Sequence, residues 1–252
     1  MMRGIPVFFS LSLAVSLWWG CSLSFGTMLV PSPFEVAQEL ARMATQPETW
    51  LTLAITVARG AAGLLAAMAC ALILGIAAGS SATAMRLLTP LVAALQSCPP
   101  ILWITLLMVW AGTGSIVPMA VVFATVFPPL FANIAQGCLA LDRRLFDMAR
   151  LYRIPRRKIL HKITLPGLTP YLLAGLSYAA AASWKVTAVA EFLGSSSGIG
   201  AQIFWSYRML EIPRLFAWAG IVIGLGVTLE LTVIAPLRAS SEAFTGKIRE
   251  EA

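Results

Sequence analysis

Where this chain places its charge constrains it more than any other feature. Apolar runs of about twenty residues follow one another across positions 5–237, the length a helix needs to cross a hydrocarbon core about 30 Å thick. One long passage breaks the series with dense charge, residues 141–166, LDRRLFDMARLYRIPRRKILHKITLP. It holds Arg143, Arg144, Arg150, Arg153, Arg156, Arg157, Lys158 and Lys162 against Asp142 and Asp147. Hydrocarbon does not hold such a density of charge, so the passage lies outside the membrane. Its sign assigns it to the cytoplasmic side. The expected fold class is all-α, a polytopic membrane helical bundle of about six transmembrane helices.

Composition excludes several other classes. The 252 residues are 59% hydrophobic and 12% charged, whereas a soluble domain carries about 25% charged residues. The net charge of +7 gathers in one inter-helix loop, where topology accounts for it, so no nucleic acid is expected as partner. Cys21, Cys70, Cys98 and Cys138 all fall in apolar runs, with no CxxC pair and no histidine cluster. They read as small buried hydrophobes, with no disulfide framework and no metal site. The single histidine, His161, sits among basic residues. No paired acids or nucleophile and base stand together in a span, so no catalytic residues are assigned and no enzyme is expected.

The expected spans are 5–29, 50–79, 89–110, 117–139, 167–193 and 215–237. Pro31-Ser32-Pro33 ends the first, and Phe34, Val36, Ala37, Leu40, Ala41 and Ala44 then recur at helical spacing. That pattern predicts a short amphipathic helix on the outer surface. Residues 80–88 read as a short turn, and 201–214 as a hairpin or partial helix. Gly60, Gly63, Gly75 and Gly79 suit close helix packing. Arg59 either snorkels outward or pairs within the bundle. Pro99-Pro100 interrupts the third span. Broken helices at membrane depth occur only inside protein or beside a water-filled cavity. Ser97, Pro99 and Pro100 are therefore candidates for a pathway wall, a packing kink being the other reading. In the fifth span Lys185 and Glu191 sit about 120° apart on an ideal helix and are not natural partners. Ser183 and Lys185 join the pathway candidates: a cation suits an anion's route, but Lys185 also suits a salt bridge to Glu191 or to Glu230. Counting basic residues puts Arg3, Arg86, the loop, Arg238, Lys247 and Arg249 on one side and Arg42, Arg208 and Arg214 on the other. Both termini are then cytoplasmic.

Within the basic passage, Asp142 or its predecessor can cap a first helix, in which Leu145, Met148, Ala149 and Tyr152 share a rough face. Pro155 is expected to end it, residues 156–163 to form a second helix, and Pro166 to open the next span. A projection of this kind fits a groove on a soluble partner.

The passage resembles the signature loop of the membrane subunits of bacterial binding-protein-dependent ABC importers. That pattern is Glu-Ala-Ala, three residues, Gly, nine residues, Ile, one residue, Leu-Pro. Here Asp147-Met148-Ala149, Arg153 and Ile163-Thr164-Leu165-Pro166 keep the spacing. Asp for Glu preserves the charge, Met replaces Ala, and Arg153 stands where the family has a glycine, the residue that enters positive φ freely. Val30-Pro31-Ser32-Pro33 with Val36, Ser97-Cys98-Pro99-Pro100, and Trp184-Lys185 leading to Ala190-Glu191-Phe192-Leu193-Gly194-Ser195-Ser196-Ser197-Gly198-Ile199-Gly200 are similar to the nitrate, sulfonate and taurine branch.

The resemblance implies a type I permease fold in a bacterial inner membrane, importing a small, anionic solute. It implies that the loop is a coupling helix, with Asp147, Met148, Ala149, Arg150, Arg153 and Pro155 contacting cytoplasmic ABC ATPase subunits. It further implies a second permease copy as a homodimer partner, a periplasmic or lipid-anchored solute-binding protein, and surrounding membrane lipid. No cofactor is expected in the chain itself, ATP being bound by the partner. The chain is expected to be one permease domain, 1–252, divided as 1–46 (first span and outer helix), 47–237 (core spans with the loop 141–166) and 238–252 (cytoplasmic tail). A stand-alone ion-coupled secondary transporter or channel is the alternative, and it predicts an internal repeat that is not visible.

Overall fold

The computed structural model describes residues 4–240; Arg3, Lys247 and Arg249 lie outside the described residues, as does most of the expected tail. Among the described residues there are helices and no strands. In order they are α1 (Gly4–Phe25), α2 (Pro33–Ala44), α3 (Pro47–Ser80), α4 (Ala82–Ser97), α5 (Pro100–Ala111), α6 (Ile116–Ala140) and α7 (Arg143–Leu151). Then come α8 (Arg156–Gly194), α9 (Ile199–Arg208) and α10 (Ile212–Ser240). α3, α6, α8 and α10 are each long and apolar enough to cross a membrane. Among the described residues a fifth crossing is formed only if the pair α4 and α5, bent by 93°, counts as one span. The first expected span falls in α1, where Ser12–Phe25 is a shorter apolar helix.

Local chemistry accounts for the helix starts. Ser32 and Glu35 form a reciprocal cap at α2: Ser32 N–H donates to Glu35 Oε2 at 2.8 Å, and Glu35 N–H to Ser32 Oγ at 3.2 Å. Such a box satisfies two of the four orphan donors at a helix start, and Pro33 in the first turn costs no hydrogen bond. The apolar face of α2 is covered by protein: Val36 and Met43 are buried with Ile199 of α9 and with Ala217 and Trp218 of α10. Ser81 caps α4 directly after α3, so the expected turn at 80–88 is mostly helix.

The core lies where α6 packs between α3 and α8, around Val122, Val126, Leu130 and Ile134. Small residues on α3 allow the approach. A Cβ added at Gly63 would stand 2.6 Å from the Met119 carbonyl oxygen, and one at Gly75 2.8 Å from Ile134 Cγ2. Close backbone approach of this kind is how helices associate in lipid, where no hydrophobic force separates protein from solvent.

Prolines act in two ways. At the α4–α5 junction Cys98 and Pro99 are both extended, with ψ of 120° and 142°. Each precedes a proline, whose ring drives its predecessor out of helical geometry. The result is a true break, larger than a kink. In α8 and α10, by contrast, a wide π turn precedes the proline. It spans Leu160–Thr164 before Pro166 and Glu230–Ile234 before Pro236. Widening the helix by one residue per turn relieves the clash between the proline ring and the carbonyl four residues back. The expected division at Pro166 is therefore absent: one helix runs from Arg156 to Gly194.

Candidate functional site

Two regions carry the polar chemistry, one at each end of the bundle. At the end opposite α7, Arg59 of α3 and Glu191 of α8 form a buried ion pair, Nη1 to Oε1 at 2.8 Å. Arg59 is 6% exposed and Glu191 0%. All three guanidinium nitrogens have partners: Nη1 also donates to the Ser197 carbonyl at 2.6 Å, Nη2 to Ser197 Oγ and Ser115 Oγ at 2.8 Å each, and Nε to Ser115 Oγ at 3.1 Å. The second carboxylate oxygen of Glu191 accepts from Thr56 Oγ1 at 2.8 Å and from Gly200 N–H at 3.3 Å. Thr56 Oγ1 in turn accepts from Ile199 N–H at 2.8 Å. Gly198, at φ +100°, leaves no room for a side chain beside the Glu191 carboxylate. This cluster ties α3, the end of α8, the α5–α6 turn and the α8–α9 loop together. Of the two open readings for Arg59, pairing within the bundle is the one realised.

Lys185 is different. It is exposed on α8 and has no ion pair among the described residues. Glu191 is taken by Arg59, and Glu230 pairs with Arg238 at 3.1 Å. Its ammonium lies 5.7 Å from the ring of the adjacent Trp184. Tyr178 and Val189 are exposed on the same side of α8, as offsets of seven and four residues require. Ser183 does not share that face. It is 6% exposed and its hydroxyl donates to the Ala180 carbonyl at 3.0 Å, because residues two apart on a helix point about 200° apart. Ser97, Pro99 and Pro100 are exposed at the α4–α5 break, with Ser97 Oγ donating to the Ala93 carbonyl at 2.8 Å. α5 packs on α8 through Ile104, Ala190 and Val186, the last of these adjacent to Lys185 in the chain.

At the other end α7 is capped by Asp142, whose Oδ1 accepts from Arg144 N–H at 2.9 Å. Pro155 does not end this helix; α7 stops at Leu151. Arg153 N–H donates to the Arg150 carbonyl and Ile154 N–H to the Ala149 carbonyl, at 3.0 and 2.9 Å. That pair of bonds is the Schellman C-cap, which places its next residue in the left-handed region. Here the residue is Arg153, at φ +50°. An arginine thus occupies the left-handed position that glycine enters most freely. Pro155 instead precedes the first turn of α8 as its N-cap. Ala149 is 0% exposed, on the inner face of its short helix. Asp147 and Arg150 are exposed and 3.7 Å apart. Leu145, Met148, Leu151 and Tyr152 are exposed apolar side chains on the same short helix and its cap, Leu151 at 82%.

Left-handed φ at a non-glycine residue costs roughly 1–2 kcal/mol, and glycine returns roughly 0.5–1 kcal/mol of that as extra unfolded-state entropy. Arg153→Gly is therefore expected to stabilise the loop by about 0.5–1 kcal/mol. Slower amide hydrogen exchange at residues 152–154 would register it. Faster exchange in the glycine variant would show that the guanidinium, not the backbone, holds the turn.

The site thus consists of a bundle of spans, one of them broken, with a buried ionic clasp at one end and an exposed basic helix at the other. The chain belongs to the family described as binding-protein-dependent transport system inner membrane component, which matches residues 71–237. It is thus a permease of the ABC importer class. A Bacillus subtilis protein named as the aliphatic sulfonates transport permease SsuC is 26% identical over 84% of this chain and 77% of its own length. The taurine transport system permease protein TauC of Escherichia coli is 23% identical over 88% and 83%. The nitrate import permease protein NrtB of Leptolyngbya laminosa is 26% identical over 82% and 76%. Among solved structures, a chain of the MetNI methionine ABC transporter in an inward facing conformation superposes with a TM-score of 0.57 at 17% identity. It covers 76% of this chain and 94% of its own, and so supports the fold.

Sequence reasoning missed Thr56, Ser115 and Ser197. Only Thr56 carried a signal, its three-residue offset from Arg59 placing both on one helix face.

Proposed function

We propose that this permease carries a small anion of the sulfonate or nitrate class and is driven through α7 by a separate ATPase on the cytoplasmic side. The observation that carries the coupling is the form of α7: a capped, nine-residue helix outside the apolar spans, with Ala149 buried and apolar and charged side chains exposed. Exposed apolar groups ringed by charge mark a docking surface. Met148, Arg150, Leu151 and Tyr152 form the part a partner groove would grip, with Asp147 and Arg153 at its edge. The partner binds and hydrolyses ATP, and the chain itself is not catalytic.

The anionic solute rests on Lys185, an exposed cation on the membrane-crossing part of α8 with no carboxylate partner among the described residues. Together with the exposed break at Ser97, Pro99 and Pro100, it favours a pathway closed by a second copy of the chain. A binding protein would deliver the solute to the end where Arg59 and Glu191 fix the loops. The resemblance to taurine, sulfonate and nitrate permeases supports the same class of cargo.

The test is retention of the cognate ATPase by the purified permease. Met148→Ala combined with Arg150→Ala is expected to weaken retention about tenfold, with unchanged thermal stability and a matching fall in uptake. Full retention by that double variant would remove α7 from the coupling interface.

A further inference from the structure

The face of α8 that bears Lys185 continues toward the α7 end, and three contacts fix where it points. Gly175 meets α6: a Cβ there would stand 3.3 Å from both Asn133 Nδ2 and Leu130 Cδ2. Thr187 meets α3, its Oγ1 2.9 Å from a Cβ built at Gly60. Trp184 meets α10, its ring 2.6 Å from a Cβ built at Gly226. At about 100° per residue, and counting from Gly175, α3 lies at about 120° and α10 at about 180° around α8. Tyr178 and Lys185 fall at about −60° and −80°, on the side away from α3 and between α6 and α10. Both are exposed there, Tyr178 at 56%. They share one face, about 10 Å apart along the axis, too far for one small oxyanion to touch both. Whatever receives the Lys185 ammonium therefore runs past Tyr178 on its way inward.

Tyr178 has a polar neighbour across the α6–α8 seam. Its hydroxyl has no partner among the described residues. Gly175, one turn away, leaves the seam open beside Asn133, which is partly exposed. One amide hydrogen of Asn133 goes to the Pro129 carbonyl at 3.0 Å, and the other has no partner among the described residues. Unused donors in an apolar stretch are costly unless something polar meets them. Both groups are neutral. A route must bind its cargo well enough to admit it and weakly enough to release it, and neutral donors after a cation satisfy both demands.

We propose that Tyr178 and Asn133 form an inner station for the oxyanion, one step beyond Lys185, where the phenol O–H and the free amide N–H donate to its oxygens. The station rests on Lys185 lying on the solute's route, and it adds the residues that receive the anion next.

The first test replaces the four native cysteines with alanine and introduces Tyr178→Cys, Asn133→Cys or Ile73→Cys into the permease–ATPase complex in nanodiscs. Ile73 is the control. It is exposed at 70%, and its neighbour Gly75 meets Ile134 and Phe131, the same level of α6 that Gly175 meets. Standing two residues from Gly75, it points about 160° away from α6. The probes are 2-sulfonatoethyl methanethiosulfonate, an anion, and its trimethylammonium counterpart, each rate being taken relative to a free thiol. Tyr178→Cys and Asn133→Cys are expected to react about tenfold faster than Ile73→Cys, since the reactive thiolate forms where water reaches it, and to prefer the anionic probe. Rates no higher than that of Ile73→Cys would give this face to lipid or to a second copy and overturn the station. So would preference for the cationic probe.

The second test keeps the native cysteines and measures uptake of nitrate and of methanesulfonate by vesicles holding the complete importer. Tyr178→Phe removes one hydrogen bond to a charged group and is expected to slow uptake of the carried anion about tenfold, with unchanged thermal stability and ATPase retention. Unchanged uptake in Tyr178→Phe beside lost uptake in Lys185→Met would leave the anionic reading standing and remove the inner station alone. Unchanged uptake in both variants, or transport of neither anion, would overturn both.

Discussion

Arg59→Met is expected to destabilise the permease by about 3–5 kcal/mol, the cost of leaving a buried charge without its counter-ion. Glu191 is fully buried, and after the substitution it keeps only the Thr56 hydroxyl and the Gly200 N–H. Glu191→Gln is expected to cost a similar amount from the other side: the amide still accepts those two bonds, but the guanidinium loses its counter-charge. Because each single change breaks the same ion pair, the two penalties do not add. Arg59→Met with Glu191→Leu is expected to be more stable than either single variant, since neither charge then remains buried. Thermal unfolding of detergent-solubilised protein, followed by size exclusion, measures all three. Single variants costing less than about 1 kcal/mol would place the pair with exposed salt bridges of little worth. Local effects should also be visible. The α5–α6 turn and the α8–α9 loop hang from Arg59 through Ser115 and Ser197, so protease sensitivity in those loops should rise before the bundle core unfolds.

That clasp marks the limit of what residue order reveals. Arg59 and Glu191 are 132 positions apart, and each stood out alone as a charge in an apolar run. Their pairing depends on how α3 and α8 are set by α6, which no local pattern encodes. The same holds for Ser115 and Ser197, ordinary hydroxyls in glycine-rich turns until the packing brings Arg59 between them. Local chemistry was far more legible. The Asp142 cap, the interruption by consecutive prolines and the glycines facing α6 all follow from short-range sterics and hydrogen bonding. Proline misled in two places. Pro166 reads as a helix start, yet a π turn carries α8 through it. Pro155 reads as the end of α7, yet the chain leaves the helix earlier, at a left-handed Arg153. In both cases the backbone adopts a less common geometry supported by neighbouring hydrogen bonds, and a residue-by-residue rule favours the commoner one.

Lys185→Met is expected to lower uptake of an anionic solute about thirty-fold, or about 2 kcal/mol, the lower end of the cost of truncating a desolvated charge contact. Lys185 lies nine residues before Gly194, the end of α8, about 14 Å along the axis and thus close to the middle of a core about 30 Å thick. A lysine at that depth is costly unless it meets water or an opposite charge. Glu191 and Glu230 are both committed elsewhere and no carboxylate among the described residues pairs with Lys185; the solute's route or a carboxylate on a second copy would supply the counter-charge. The two roles separate experimentally. If the ammonium meets the solute, Lys185→Arg restores most of the uptake, and a neutral solute of the same size crosses the Lys185→Met variant at least as fast as the parent protein. If it meets a second copy, anionic and neutral uptake fall together and the dimer loosens in detergent. Unchanged uptake of the anion in Lys185→Met would remove Lys185 from the route, and with it the main physical reason for assigning this permease an anionic cargo.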